Sequence, residues 1–302
     1  MLSGEQISSL MRAVKDSFTV TEDAEITVEI NPGDDLSGFL EEIRNAGCNR
    51  LSMGVQSGND DELLVLGRRH SVYDAEQTFY TARKLGFDNI SLDLMLGLPD
   101  STKETLNKSI DFVLNLAPEH ISAYILKIED GTPFGKAKLN LPNDDDTADQ
   151  YLLLCDRLKT AGYTHYEISN FAKLGYEGKH NLNYWRCREY LGFGPAAHSF
   201  FEGERFYYPN DITAYMQNCK ALSDGEGGNE QEYIMLSLRI SDGIDISEFE
   251  SKFLKPFPPT ILNKARLFEK NGLCITDGNT IRLTDEGMLV SNSIITSFTE
   301  EL

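Results

Sequence analysis

The sequence predicts an α/β fold: a parallel sheet covered by helices, followed by a small α+β domain. Three observations predict it. Short, nearly continuous apolar strands alternate with helical segments through the first 126 residues. Glycine or proline closes most of these segments. Beyond residue 230 the beat changes to helices followed by a hairpin pattern.

Each element follows from local chemistry. MLSGEQISSLMRAV has the spacing of an amphipathic helix capped by Ser3, and it lacks the basic-then-apolar layout of a signal peptide. EITVEI (25–30) is a strand that stops at Asn31-Pro32, because proline has no N–H for a central ladder. DDLSGFLEEIRNAG (34–47) opens on aspartate and closes on Gly47, as a helix does. NRLSMGVQS (49–57) is the second strand, and DDELLVLGR and SVYDAEQTFYTARKLG (71–86) are helices. NISLDLMLGLP (89–99) is the third strand. STKETLNKSIDFVLNL (101–116) is a helix whose start fits a Ser101/Glu104 capping box, and HISAYIL (120–126) is the fourth strand.

Residues 128–146 read as loop, and a helix is expected from about Thr147 to Gly162. HYEISNFA (165–172) and KHNLNYWRCREYLGFGPAAHSF (179–200) are unusual segments, and ALSDGEGGNE (221–230) reads as a soft linker. Helices around EYIMLSLR and PTILNKARLFEKNG, a hairpin at Asp277-Gly278 and a last helix give a winged-helix-like layout.

Composition narrows the function classes. With 28 basic and 48 acidic residues the net charge is −20, which repels phosphate backbones and argues against nucleic acid as a partner. The winged-helix-like region, Glu226 to Leu302, carries 13 acidic against 7 basic residues, so DNA binding is not expected there either. No apolar run approaches the ~20 residues of a membrane span, and the expected location is the cytoplasm. The five cysteines, Cys48, Cys155, Cys187, Cys219 and Cys274, are never closer than 32 positions. They form no local zinc or cluster motif and read as free thiols.

Parallel strands all point one way, so functional residues gather at their C-terminal ends. Glu29 ends its strand, where a carboxylate can accept from both hydroxyls of a ribose; an exposed strand-end acid is the alternative. Gln56 ends the next strand. Asp93 interrupts an apolar strand, and because a buried carboxylate without partners is costly it either faces a polar pocket or is ion-paired. Arg68 and Arg69 follow the Gln56 strand, and either could grip a carboxylate with two hydrogen bonds or remain solvated. Together these residues suit a ligand with a ribose and an amino-acid tail, as S-adenosylmethionine has.

His180-Asn181-Leu182-Asn183-Tyr184-Trp185 is the sharpest local feature. If helical, it sets His180, Asn181, Tyr184 and Trp185 on one face. Imidazole is an axial ligand for heme iron, and flat aromatics can stack on a macrocycle. A core face with a hydrogen-bonded histidine is the alternative. In GFGPAAHSF (192–200), His198 reads either as a second ligand or as structural.

The run VEINP, RLSMGVQS, GRRH, DLMLGLP, YEISNFA, HNLNYW and GFGPAAHSF resembles the HemW family, the heme-chaperone relatives of the oxygen-independent coproporphyrinogen III oxidase HemN within the radical SAM superfamily. The resemblance covers nearly the whole chain. It implies a partial (β/α) radical-SAM-type barrel lacking its first strands over residues 1–165, a family-specific extension with HNLNYW over 166–225, and a HemN C-terminal-like domain over 226–302. It implies a SAM pocket of Glu29, Asp93, Gln56 and Arg68, with Arg68 on the SAM carboxylate. It also implies heme at His180, Asn181, Tyr184 and Trp185, with His180 on the iron, because HNLNYW matches the H-N-x-x-Y-W signature associated with heme binding.

The implied role is to hold heme and deliver it to heme-requiring respiratory enzymes. The alternative is an oxygen-independent coproporphyrinogen III oxidase-like radical SAM enzyme. The family's C-x-x-x-C-x-x-C loop, whose cysteines hold a [4Fe–4S] cluster, has no counterpart between residues 1 and 302. The oxidase chemistry is therefore expected to be absent from this chain, and no residue is assigned a catalytic role. A homodimer is left open.

Overall fold

The computed structural model describes residues 2–33 and 35–302. Asp34, the expected start of the second helix, lies outside the described residues. The chain divides into two compact units, Met1–His165 with Ser169–Glu177, and Tyr166–Ile168 with Gly178–Leu302.

The first unit follows the strand–helix beat. Helix α1 (Gly4–Ser17) starts on a capping box: Ser3 Oγ accepts from the Gln6 N–H, and Gln6 Oε1 accepts from the Ser3 N–H at 2.8 Å. Then come β1 (Thr27–Ile30), α2 (Ser37–Ala46), β2 (Arg50–Gln56), α3 (Asp60–Val65), α4 (Val72–Lys84), β3 (Ile90–Leu96), α5 (Lys103–Leu116), β4 (His120–Ile125), α6 (Pro133–Lys136), α7 (Asp144–Thr160), β5 (Thr164–Glu167) and β6 (Asn170–Ala172). Gly47 closes α2 at φ 108°, a left-handed conformation that glycine adopts without a Cβ clash.

Three expectations need correction. The α5 cap is Thr102 with Thr105, each side chain accepting from the other's N–H at 3.0–3.2 Å. Ser101 is instead engaged with Gln150. Helix α7 begins at Asp144, three residues before the expected start, because Asn143 caps it and Asp144, Asp145 and Asp146 favour the positive end of the helix dipole. The stretch 128–146 also contains the short helix α6, whose Thr132 accepts from the Gly135 N–H.

The sheet order is β1-β2-β3-β4-β6-β5. Its first four strands are parallel, as expected, but β6 runs antiparallel to β4, so the sheet is mixed. Its two faces also differ, where the sequence suggested apolar cover on both. Residues alternate faces along a strand, and the register places Leu51 and Met53 of β2, Leu92 and Leu94 of β3 and Ile121 of β4 on one side; all five are fully buried. Burying such a side chain contributes about 1.5–3 kcal/mol. The other side carries Glu29, Ser52, Ser91, Asp93, His120, Ser122 and Asn170. A sheet with one polar face inside a folded unit must satisfy that face with its own hydrogen bonds or with a polar occupant.

The second unit contains α8 (Lys179–Trp185), β7 (His198–Phe201), β8 (Glu204–Tyr207), α9 (Ile212–Met216) and β9 (Leu222–Glu226). Strands β7, β8 and β9 form an antiparallel sheet in that order. The expected linker at 221–230 is therefore partly a strand: β9 pairs through its backbone with β8, which a reading of side chains alone does not reveal. Beyond it lie α10 (Glu230–Ser237), β10 (Ile244–Asp245), α11 (Ile246–Phe253), α12 (Pro259–Lys270), β11 (Cys274–Thr276), β12 (Thr280–Leu283), α13 (Asp285–Leu289) and α14 (Ser291–Thr299). The β11–β12 hairpin turns at Asp277-Gly278, as expected, with Gly278 at φ 89°. Its sheet, β10-β12-β11, packs into a core with Phe249 at its centre, 5.0 Å from the Phe257 ring and 4.8 Å from Phe253.

Candidate functional site

The strand ends of the first unit bring the predicted polar residues into one neighbourhood. Glu29 is exposed on β1, opposite Ser52 of β2. Ser52 Oγ donates to Asp93 Oδ1 at 3.3 Å, and Asp93 lies opposite Ser122 of β4. Burial pushes the Asp93 carboxyl up to about 6, against the pull of hydrogen bonds from Ser122 and Ser52 and of the Arg50 charge, while the Glu29 charge adds to the rise. Asp93 is a half-buried carboxylate held by hydroxyls beside a second carboxylate.

Gln56 closes β2 with φ 73°, a left-handed conformation that costs a non-glycine residue about 1 kcal/mol or more. Its side chain and that of Asn31 converge over Gly54. A Cβ at position 54 would sit 2.8 Å from Gln56 Nε2 and 3.1 Å from Asn31 Oδ1, so a side chain there would push these two amides from their present places. Arg68, half-buried, donates from Nη1 to Asn31 Oδ1 at 2.8 Å, whereas Arg69 is exposed. Sequence reasoning singled out Glu29, Gln56, Arg68 and Asp93 but missed Asn31, Ser52 and Ser122. Ser52 and Ser122 could have been found from strand alternation, since each shares the polar face with Asp93.

Deeper on the polar face, the buried Thr27 Oγ1, Arg50 Nε and Asn170 Oδ1 have no hydrogen-bond partner among the described residues. Ser91 Oγ bonds His120 Nδ1 at 2.7 Å, and burial holds the His120 imidazole neutral by pushing its pKa well down. The face therefore combines hydroxyls, amides, two carboxylates and a guanidinium with spare hydrogen-bonding capacity.

In the second unit HNLNYW is indeed helical, as α8. His180 is exposed and meets Tyr184 edge-on, with ring centroids 4.6 Å apart. Tyr184 in turn meets Tyr190 edge-on at 4.4 Å, and burial raises its phenol pKa. Tyr190 Oη accepts from Arg205 Nη1 at 3.3 Å. Asn181 and Trp185 are half-buried, and Trp185 Nε1 donates to Glu167 Oε2 at 2.8 Å. His198 lies on β7, stacked on Tyr207 at 5.0 Å with Asp224 3.9 Å from its Nδ1.

A six-stranded α/β sheet with polar strand ends, followed by a helix–hairpin domain, defines a class, and the comparisons agree with it. Residues 3–113 match the Radical SAM superfamily, and residues 231–290 match the HemN C-terminal domain. The fold is that of the coproporphyrinogen III oxidase HemN from Escherichia coli, a radical SAM enzyme: the TM-score is 0.83 at 23% identity, covering 100% of this chain and 75% of that one. The heme chaperone HemW of Bacillus subtilis is 35% identical over 314 residues, covering 100% of this chain and 83% of the relative. A Danio rerio protein, radical S-adenosyl methionine domain-containing protein 1, mitochondrial, is 32% identical over 98% of this chain and 72% of its own length. The chain belongs to the HemW family.

Superfamily membership implies SAM and a [4Fe–4S] cluster. The strand-end residues fit SAM in kind, because they supply carboxylates for hydroxyls, a guanidinium for a carboxylate and buried polar atoms with open valences. Three of the chain's five cysteines are poorly suited to hold the cluster. Cys48, Cys155 and Cys274 are buried, and burial pushes the Cys274 thiol up to about 12, far from the thiolate that iron needs. Among the described residues no helix is long and apolar enough to cross a membrane.

Proposed function

We propose that this chain is a heme chaperone: it carries heme as cargo on α8, with a SAM-binding strand-end site in its other unit. The observation that supports this most is the exposed His180 imidazole at the end of an aromatic row with Tyr184 and Tyr190. An accessible imidazole can ligate iron, and the aromatic edge beside it supplies apolar contact for a macrocycle. Asn181, on the same helix, offers an amide to the cargo. On this reading the recipients are heme-requiring respiratory enzymes.

In the strand-end site Glu29 and Asp93 accept from the ribose hydroxyls, Gln56 lies beside them, and Arg68, steadied by Asn31, takes the amino-acid carboxylate. SAM supplies, where the cluster is present, the sulfonium that superfamily chemistry reduces. The residues of this chain bind and orient it.

The test is a hemin titration of the purified chain followed at the Soret band, with His180→Ala alongside. Saturable binding with a shifted Soret band, lost in His180→Ala, is the expected result. A Soret band unchanged in His180→Ala refutes α8 as the site. Turnover of coproporphyrinogen by the chain alone would refute the chaperone reading.

A further inference from the structure

Helix α8 has only seven residues, too short to hold its own orientation in water. Both its ends are fastened to one short segment, Tyr166–Ile168. At the start, the Gly178 N–H donates to Tyr166 Oη at 3.1 Å. At the end, Trp185 Nε1 donates to Glu167 Oε2 at 2.8 Å. Glu167 is 1% exposed, so its carboxylate is removed from solvent. The Arg239 guanidinium lies 5.5 Å from the centre of the Trp185 ring.

The segment itself is pinned by its backbone. Glu167 bridges Ile240, the Ile168 N–H donates to the Arg239 carbonyl at 2.9 Å, and the Ser241 N–H donates to the Tyr166 carbonyl at 2.9 Å. A carboxyl acceptor at that depth, shielded from competing water, forms a directional bond to an indole N–H. The indole donor is thereby spent inward, on the carboxylate.

We propose that Glu167, with Tyr166, is the positioning element of the cargo site: it clamps α8 through Trp185, so that Trp185 acts as the anchor of the helix and His180 is presented at a fixed angle. This rests on the reading of α8 as the heme site. It reassigns Trp185, which the HNLNYW pattern would place against the macrocycle. It also gives the YEIS segment a role, since that segment supplies both fastenings. Groups hydrogen-bonded directly to a metal-ligating histidine affect affinity about 10–100-fold; Glu167 acts on His180 through the helix, so the lower end of that range is the expected effect.

The experiment is a hemin titration of the full chain, read as Kd and Soret position, for the wild type, Trp185→Phe, Glu167→Ala, Glu167→Gln and His180→Ala. Met288→Ala, in the core of the same unit, controls for general loosening. Trp185→Phe keeps a flat aromatic and removes only the N–H. The clamp predicts binding weakened about tenfold, with a displaced Soret band, in Trp185→Phe and Glu167→Ala. It predicts substantial recovery in Glu167→Gln, which keeps an acceptor for Nε1. Met288→Ala is expected to lower the thermal midpoint and leave the Soret position alone.

Wild-type Kd and Soret position in Trp185→Phe, with binding lost in His180→Ala, would overturn the clamp and leave the cargo site standing. The same Soret displacement in Met288→Ala would overturn it as a specific effect. Unchanged binding in His180→Ala would remove the cargo site and the clamp together.

Discussion

Asp93 is held at an energetic disadvantage, and replacing it should make the protein more stable. Its carboxyl moves from 3.8 to about 6 because the fold buries it beside Glu29. A tenfold change in proton affinity is worth about 1.4 kcal/mol, so the ionised form costs the folded state about 2–3 kcal/mol. The folded pKa is raised, so the fold holds the proton more tightly than the unfolded chain does. The penalty is absent below about pH 4, grows between pH 4 and 6, and is complete above 6.

Asp93→Asn removes the charge and keeps an oxygen that can accept from Ser52 or Ser122. It should stabilise the first unit by about 2–3 kcal/mol at pH 7 and by almost nothing at pH 4, which is several degrees in thermal midpoint. The assay is urea unfolding followed by far-UV circular dichroism at both pH values. Tryptophan emission is unsuitable for it, because the single tryptophan, Trp185, lies in the other unit. A loss of stability at pH 7, or an equal change at both pH values, would refute the account of Asp93 as a desolvated acid.

SAM affinity, measured calorimetrically, should fall as pH drops through about 6 in the wild type, because protonated Asp93 accepts fewer hydrogen bonds, and Asp93→Asn should flatten that dependence. Gln56→Gly should relieve the left-handed backbone and raise stability by about 1 kcal/mol while weakening SAM binding; a loss of stability in urea unfolding would show that the side chain matters more to the fold than the strain does. Thr102→Ala should lower the stability of the first unit by about 1 kcal/mol through loss of the α5 cap, and Ser101→Ala should do less. Phe249→Ala should cost about 3–5 kcal/mol in the second unit, and Trp185 emission should report it at lower urea than in the wild type.

The strand–helix beat was legible because its signals are local: glycine after α2, proline after β1 and apolar strands of regular length. Glu29, Gln56, Arg68 and Asp93 stood out because a polar residue in or after an apolar strand has few explanations. Asn31 did not stand out, since beside Pro32 it reads as a stop signal; only the fold shows it bonded to Arg68. The antiparallel turn of β6 and the strand β9 depend on backbone pairing between distant segments, which side-chain periodicity does not record. Helix α11, eight residues long, is too short for its period to speak clearly. The motif HNLNYW was visible as one face of a helix, but the inward direction of the Trp185 N–H depends on Glu167, 18 residues earlier.

The sorting of the first sheet into an apolar and a polar side has a consequence for how the protein reaches its working form. Leu92 and Leu94 pack into the interior, while Ser91 and Asp93, interleaved with them, carry the polar chemistry. A slip of β3 by a single residue would therefore exchange the two sets at once, setting Asp93 among packed hydrocarbon and Leu92 among hydroxyls. Misaligned chains are disfavoured during folding by the same side chains that we propose meet the ligand. The polar row that we propose meets the ligand is therefore complete only when the strands are in register.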